Sequence, residues 1–271
     1  MMKRHPSYLF SRGFWLIVIS YWLFATGCQK VINIDLNSAS PAIVIVGNIN
    51  NLPGPYTVTL NQTVNFSQPN TFPPVNGAFV TIADNAGSTD TLIETPTPGV
   101  YQTKKIQGVP GRTYNLTVVA NGQTYTSTST MPQPVAFDTL LVFNYVDPSG
   151  DSTYLPDALF MDPPTGMHYY RLIETVNDTV LPDVFALDDE FNHGGLIDYK
   201  IYASKETILR NDSVKVELQG IDQGTYNYIQ NLRQASGSTN VTPANPPSNI
   251  SNNALGYFSA HTSSYRALKV K

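Results

Sequence analysis

Apolar and polar residues alternate with a period of two over most of the chain, which indicates β-strands rather than helices. Gly, Pro, Asn and Asp fill the segments between the alternating runs, and this turn chemistry predicts short antiparallel strands packed as a sandwich. Asn121-Gly122 marks the clearest hairpin, because these residues supply the positive φ values of a type I′ turn. The predicted strands are residues 42–49, 56–60, 77–84, 91–94, 113–120, 123–130, 139–146, 157–162, 168–176, 198–204, 213–221 and 255–262.

One segment departs from this period. Tyr226, Ile229 and Leu232 recur at helical spacing, and Asp222 before them can serve as the N-cap. We therefore predict one short helix near residues 222–235. The following residues, 236–254, are rich in Asn, Ser and Pro, which predicts a long loop before the last strand.

Composition divides the chain near residue 132. Residues 28–135 hold four acidic and four basic side chains, whereas residues 136–271 hold sixteen acidic and nine basic ones. Prolines at positions 132 and 134 favour an extended linker between the two parts. The predicted fold is mainly β, with two tandem antiparallel β-sandwich modules of immunoglobulin-like or transthyretin-like type. They are an N-terminal sandwich over residues 41–132 and an acidic β-rich domain over residues 133–271 that carries the helix.

The amino terminus has the layout of a signal peptide. Lys3, Arg4 and Arg12 are followed by an apolar run over residues 14–24 and then by small residues. A run of this length is too short to cross a bilayer, which needs about 20 residues in a helix. We therefore predict a signal peptide over residues 1–27.

Cys28, the only cysteine of the chain, comes directly after the small residues. This arrangement resembles a bacterial lipoprotein box, in which the thiol is acylated with diacylglycerol. The alternative is an incidental cysteine in a plain secretory leader. An internal disulfide is excluded because Cys28 has no partner. We expect lipidation at Cys28, attachment to a membrane through that lipid, and a tether over residues 28–40.

The charge balance argues against a nucleic-acid partner. Cleavage after residue 27 would remove three of sixteen basic residues and leave thirteen against twenty acidic ones, a net charge of −7. A chain of that sign lacks the basic surface that phosphate backbones require.

The best chemical candidate is the acidic segment over residues 181–195. It supplies five oxygen or nitrogen ligands within eleven residues, as a hard cation such as Ca²⁺ would require, although their spacing does not match the usual calcium loop. The alternative is a solvated charge cluster in a loop. The candidate ligands are Asp183, Asp188, Asp189, Glu190 and His193.

Catalytic motifs are missing from the sequence. The three histidines after the leader, His168, His193 and His261, are far apart, and HExxH, GxSxG and phosphate-loop patterns do not occur. We therefore expect no catalytic residue and no cofactor, and we interpret the chain as non-enzymatic.

Motifs distributed along the whole chain resemble the Bacteroidota envelope lipoproteins grouped as the domain-of-unknown-function 4249 family. The resemblance implies a lipid-anchored envelope protein of the kind often encoded beside TonB-dependent outer-membrane receptors, but it supplies neither a reaction nor a ligand. The N-terminal module also resembles transthyretin or carboxypeptidase-regulatory modules. The motifs are CQKVINIDL, IVIVGNI, GPYTVTL, VNGAFVTIAD, GVYQ, VPGRTYNLTV, DPPTGMHYYR, SVKVELQGIDQGTYNYIQNL and PPSNISNNALGYFSAHT.

Five Asp-Ser/Thr tripeptides resemble the acceptor motif for O-glycosylation in the same phylum. The alternative is that Asp ends a turn and the hydroxyl residue begins a strand. The candidate acceptors are Thr91, Thr139, Ser152, Thr179 and Ser213.

The expected function follows from the anchor, the two β modules and the resemblance. We expect a non-enzymatic outer-membrane lipoprotein, on the periplasmic face or the cell surface. It would be a binding or accessory component that works with a TonB-dependent receptor in nutrient uptake. The alternatives are an envelope hydrolase and an adhesive or structural surface protein.

Overall fold

The computed structural model describes residues 41–65, 68–69, 71–146, 150–190, 193–202, 207–237 and 245–271. Within these residues the chain forms strands with a single helix, α1 (Gln223–Gly237). The predicted mainly-β class with one helix is therefore confirmed. The strands are β1 (Ile43–Asn50), β2 (Thr57–Gln62), β3 (Phe79–Asp84), β4 (Thr89–Thr91), β5 (Ile93–Glu94), β6 (Val100–Gln102), β7 (Thr113–Ala120), β8 (Gln123–Thr130), β9 (Thr139–Val146), β10 (Ser152–Met161), β11 (Tyr169–Val176), β12 (Thr179–Val180), β13 (Phe185–Asp188), β14 (Leu196–Lys200), β15 (Ser213–Ile221) and β16 (Leu255–Lys269).

Local sequence signals explain several of these elements. The β7–β8 hairpin turns at Asn121 and Gly122, whose φ values are +51° and +73°, as the predicted type I′ turn requires. The helix α1 begins after Asp222, whose Oδ1 accepts a hydrogen bond from the backbone amide of Thr225 at 2.8 Å. The predicted N-cap is therefore confirmed.

The strands form three sheets. The largest has nine strands in the order β12-β11-β15-β16-β1-β2-β6-β5, with β13 also paired to β11. A second sheet has the order β14-β10-β9, and a third has the order β4-β3-β7-β8.

One strand pair corrects the prediction of purely antiparallel sheets. The first half of β16 runs parallel to β1, with the register from Val44 opposite Leu255 to Asn50 opposite His261. The second half of β16 pairs antiparallel with β15, so this strand extends beyond the predicted residues 255–262. A parallel pair requires a long connection, and here almost the entire chain lies between the two strands.

The buried apolar residues form two main clusters. The first lies around β1, β2, β3 and β7, and the second lies around β10, β11 and β15. Ile250, Ala254 and Phe258 belong to the first cluster, because the parallel pairing carries the start of β16 to β1. Residues 40–271 form one compact unit. The start of the last strand, predicted to belong to the second domain, therefore packs with the first cluster. The domain boundary at residue 132 stays a prediction.

Candidate functional site

Two strand ends from different sheets meet near Asp162 and Asp189. Asp162 directly follows β10, and its backbone amide continues the β10–β14 pairing by donating to the carbonyl of Gly195 at 2.9 Å. His168 directly precedes β11, and its carbonyl continues the β11–β13 pairing by accepting from the amide of Asp189 at 3.2 Å. The register of two strand pairs therefore brings these side chains together.

The carboxylate of Asp189 is the centre of the resulting group of residues. Its Oδ2 lies 2.9 Å from Nδ1 of His168 and 3.1 Å from Nδ1 of His193. Nδ1 of His168 also lies 3.4 Å from Oδ1 of Asp162. We refer to Asp162, His168, Asp189 and His193 as the Asp189 cluster.

The cluster is buried on the side of its acids and open on the side of its histidines. The two aspartate side chains are 0% exposed, whereas those of His168 and His193 are 22% and 46% exposed. Asp162, Asp189 and His193 offer ligand atoms that all lie within 4.8 Å of one another. This combination of carboxylates and an imidazole can hold a divalent cation.

Burial and hydrogen bonds set the charge of these groups. Burial favours the neutral form of Asp189, but hydrogen bonds from His168 and the nearby His193 hold the pKa of the carboxyl below its usual range. Burial and the carboxylate of Asp162 raise the pKa of Tyr170, so its hydroxyl stays protonated. That hydroxyl donates to Oδ1 of Asp162 at 2.6 Å.

The five predicted loop ligands do not form one group. Only Asp189 and His193 belong to the cluster. Oδ2 of Asp188 instead accepts a hydrogen bond from the hydroxyl of Tyr226 at 2.7 Å, and Glu190 is exposed. Asp183 is half-buried and lies outside the set of residues whose ligand atoms converge.

Asp162 and His168 are absent from the ligands predicted from the sequence. Both residues are far from the acidic loop in sequence, and each is a polar residue at one end of a predicted strand, a signal that could have indicated them.

His261 does not join the cluster. It is buried in β16, where Nδ1 lies 3.2 Å from Oγ of Ser259 and Nε2 lies 3.2 Å from Nε2 of Gln219. Burial lowers the pKa of His261 to about 4, which keeps the ring neutral at neutral pH. Ser259 and His261 are only 2% and 4% exposed, so this serine–histidine contact offers no access to a substrate.

A family model described as a domain of unknown function, DUF4249, matches residues 29–266. The chain belongs to the DUF4249 family. No match was found for it among curated proteins. Among solved structures, a segment of two fibronectin type-III domains from chicken tenascin is similar to this DUF4249 protein at 10% identity and a TM-score of 0.26. The match covers 85% of this chain and 100% of that one. At that score the likeness carries no argument, and the fold class rests on the sheets described above.

The five predicted glycosylation acceptors of this DUF4249 protein are all exposed. Asp90 and Asp212, which precede two of them, have structural contacts. Asp90 is buried and its Oδ2 accepts three backbone amide hydrogen bonds, whereas Oδ2 of Asp212 accepts the amide of Leu209 at 2.7 Å. Glycosylation of Thr91, Thr139, Ser152, Thr179 and Ser213 stays a prediction.

The predicted leader and anchor of this DUF4249 protein, including Cys28, lie outside the described residues. In the part of the chain that the structure describes, the one helix is too short and too polar to cross a bilayer.

Proposed function

We propose that this protein is a non-enzymatic lipoprotein of the bacterial outer membrane, held by a lipid on Cys28. In this role it is a binding or accessory component that works with a TonB-dependent receptor in nutrient uptake. The observation that carries the proposal is the sequence of leader residues ending in the only cysteine of the chain. The resemblance to Bacteroidota envelope lipoproteins supports the same role.

The folded residues begin a short distance in sequence after Cys28, as expected for a protein tethered at that residue. The first described strand begins at Ile43, fifteen residues after Cys28. A lipid on Cys28 would hold the sheets close to the membrane surface, where they can contact an integral receptor. The proposal applies to either face of the outer membrane, periplasmic or external.

Attachment is tested with the variant Cys28→Ser in a Bacteroidota host. The wild-type protein is expected in the outer-membrane fraction, with an intact mass that equals the residues from Cys28 onward plus lipid. The variant is expected to lose the lipid mass and leave the membrane fraction. A wild-type protein without lipid would contradict the anchor.

The receptor partnership needs a separate measurement. Gentle detergent solubilisation followed by affinity purification is expected to recover a TonB-dependent receptor with the wild-type protein. Recovery of the lipoprotein as a lone monomer would contradict the partnership. Protease treatment of whole cells assigns the membrane face.

An envelope hydrolase is the second candidate, and the Asp189 cluster is the observation that favours it. His168 and His193 both contact the carboxylate of Asp189, and an imidazole positioned in this way can serve as a general acid or base. Among the hydrogen bonds between described residues, however, neither imidazole contacts a serine or threonine hydroxyl that could serve as a nucleophile. Turnover of ester, peptide or glycoside substrates that is lost in His193→Ala would favour this candidate over the binding role.

A further inference from the structure

The Asp189 cluster contains a buried oxygen whose capacity for bonding is unused. Asp189 is 0% exposed, and its Oδ2 faces both imidazoles. Its other oxygen, Oδ1, is buried and has no hydrogen-bond partner among the described residues. A buried carboxylate oxygen without a partner is unfavourable, and a cation is one way to satisfy it.

The neighbouring carboxylate is already oriented by bonds that leave it free to bind an ion. Oδ1 of Asp162 accepts the hydroxyl of Tyr170 at 2.6 Å, and Oδ2 accepts the backbone amide of Gly194 at 3.0 Å. Each oxygen keeps a lone pair, because a carboxylate oxygen can accept two bonds. Tyr170 is itself fixed by an edge contact with the buried ring of Phe160, at 4.9 Å between the ring centres. Partners of this kind hold the ligands of metal centres in position.

The turn that carries His193 is also held in place. Gly194 has a φ of +68°, and a Cβ atom at this position would lie 2.9 Å from Cα of Pro164. A glycine is therefore needed for the chain to pass Pro164 and to place the adjacent His193 beside Asp189.

The donor set selects the class of ion. Calcium and magnesium prefer oxygen ligands alone, whereas imidazole combined with carboxylate is typical of zinc and other divalent transition metals. Three protein ligands leave a fourth position of a tetrahedral centre vacant. The side chain of His193 is 46% exposed, so the cluster is open to solvent on this side.

We propose that Asp162, Asp189 and His193 bind a divalent transition metal of the zinc class, with His168 holding the carboxylate of Asp189 in place. Nδ1 of His168 lies 2.9 Å from Oδ2 of Asp189, as holding the carboxylate requires, and Nδ1 of His193 lies 3.1 Å from the same oxygen, so the two proposed ligands are adjacent. The vacant fourth position gives the protein a place to bind a ligand through the metal. The proposal is independent of the lipid anchor, because zinc binding and membrane attachment are measured separately.

The test uses the full chain purified in detergent and stripped of metal with a chelator. Titration with zinc chloride in a calorimeter is expected to show one equivalent bound. Titration with cobalt chloride is expected to produce the intense visible absorption of four-coordinate Co²⁺.

Variants identify the ligands. His193→Ala is expected to lower the zinc affinity by at least about tenfold, and Asp189→Asn by more, since each removes a ligand. Glu190→Gln is the matched control, because Glu190 is exposed beside Asp189 and outside the cluster, and its affinity is expected to equal that of the wild type. Circular dichroism verifies that His193→Ala is folded. Because His193 is exposed, this variant should keep its fold and can still test the proposal if Asp189→Asn does not fold.

Two results would overturn the proposal. One is a wild-type protein that binds zinc with no defined stoichiometry. The other is a zinc affinity that is the same in His193→Ala and Glu190→Gln. In either case the cluster would be a set of hydrogen bonds between Asp189 and two histidines, without a metal.

Discussion

Gly256 packs directly against the backbone of Ile45 in the parallel pair of β16 and β1. Its φ is +93°, and a Cβ atom at this position would lie 2.0 Å from the carbonyl oxygen of Ile45. The pairing that joins the last strand to the first therefore depends on a residue without a side chain.

Gly256→Ala is expected to destabilise the protein by at least about 3 kcal/mol, because the methyl group collides with backbone that is fixed on both sides. Gly122→Ala is the control, since Gly122 also has a positive φ, of +73°, but has nothing within 4 Å of its Cβ position. The control should lose only about 1–2 kcal/mol, the cost of the left-handed backbone. Urea denaturation measures the free energy of unfolding of both variants. Equal losses of stability would show that the contact with Ile45 does not contribute.

Asp90 stabilises the loop that follows β6. Its Oδ2 accepts hydrogen bonds from the amides of Lys104, Lys105 and Ile106 at 2.7, 2.6 and 3.0 Å, and the side chain is almost fully buried. Burial opposes ionisation, but these amides together lower the pKa of Asp90. Asp90→Asn is expected to cost about 2–3 kcal/mol at pH 7, since the amide oxygen is a weaker acceptor than the carboxylate.

The effect of Asp90 should depend on pH in a defined direction. Because its folded pKa is lowered, the stabilisation is complete above the unfolded value near 3.9 and is lost as the pH falls through the folded value. The difference between wild type and Asp90→Asn should therefore shrink below about pH 4. Asp178→Asn, at an exposed position, provides the control. A difference that stays constant down to pH 3 would contradict this role.

Asp222 connects the helix to β8. Its Oδ1 caps α1 through the amide of Thr225, and its Oδ2 accepts the hydroxyl of Ser129 at 2.6 Å. Asp222→Ala is expected to lose about 2–3 kcal/mol, since both interactions disappear. Asp222→Asn keeps an oxygen for the cap and should lose about half as much. Equal unfolding free energies for the two variants would exclude a contribution from the cap.

His261 should make stability fall in mild acid. Its pKa is lowered to about 4 by burial, so between pH 6.5 and 4 the unfolded chain binds a proton that the folded chain does not. Stability should decrease over this range by up to about 3 kcal/mol as the pH falls. His261→Gln should flatten this part of the pH profile, because glutamine keeps polar atoms but does not titrate. An unchanged slope in the variant would show that other groups bind the proton.

The Asp189 cluster illustrates how much of a site can be predicted from sequence. Asp189 and His193 were predicted because they are close together in an acidic loop, and local spacing is visible without a structure. Asp162 and His168 join them only because the ends of β10 and β11 meet. That meeting depends on the register of two strand pairs in different sheets, which no short segment encodes.

Features that depend on residues close together in the chain can be predicted from the sequence alone. Alternation places Val214, Val216 and Leu218 on one buried face of β15, Asn121-Gly122 makes a hairpin turn, and Asp222 starts a helix, because each effect acts over a few residues. The parallel pairing of β16 with β1, and its continuation along β15, depend instead on tertiary packing. Partners separated by about two hundred residues are selected by the packing of the whole core, whose free energy is shared among many side chains and is not encoded in any single motif.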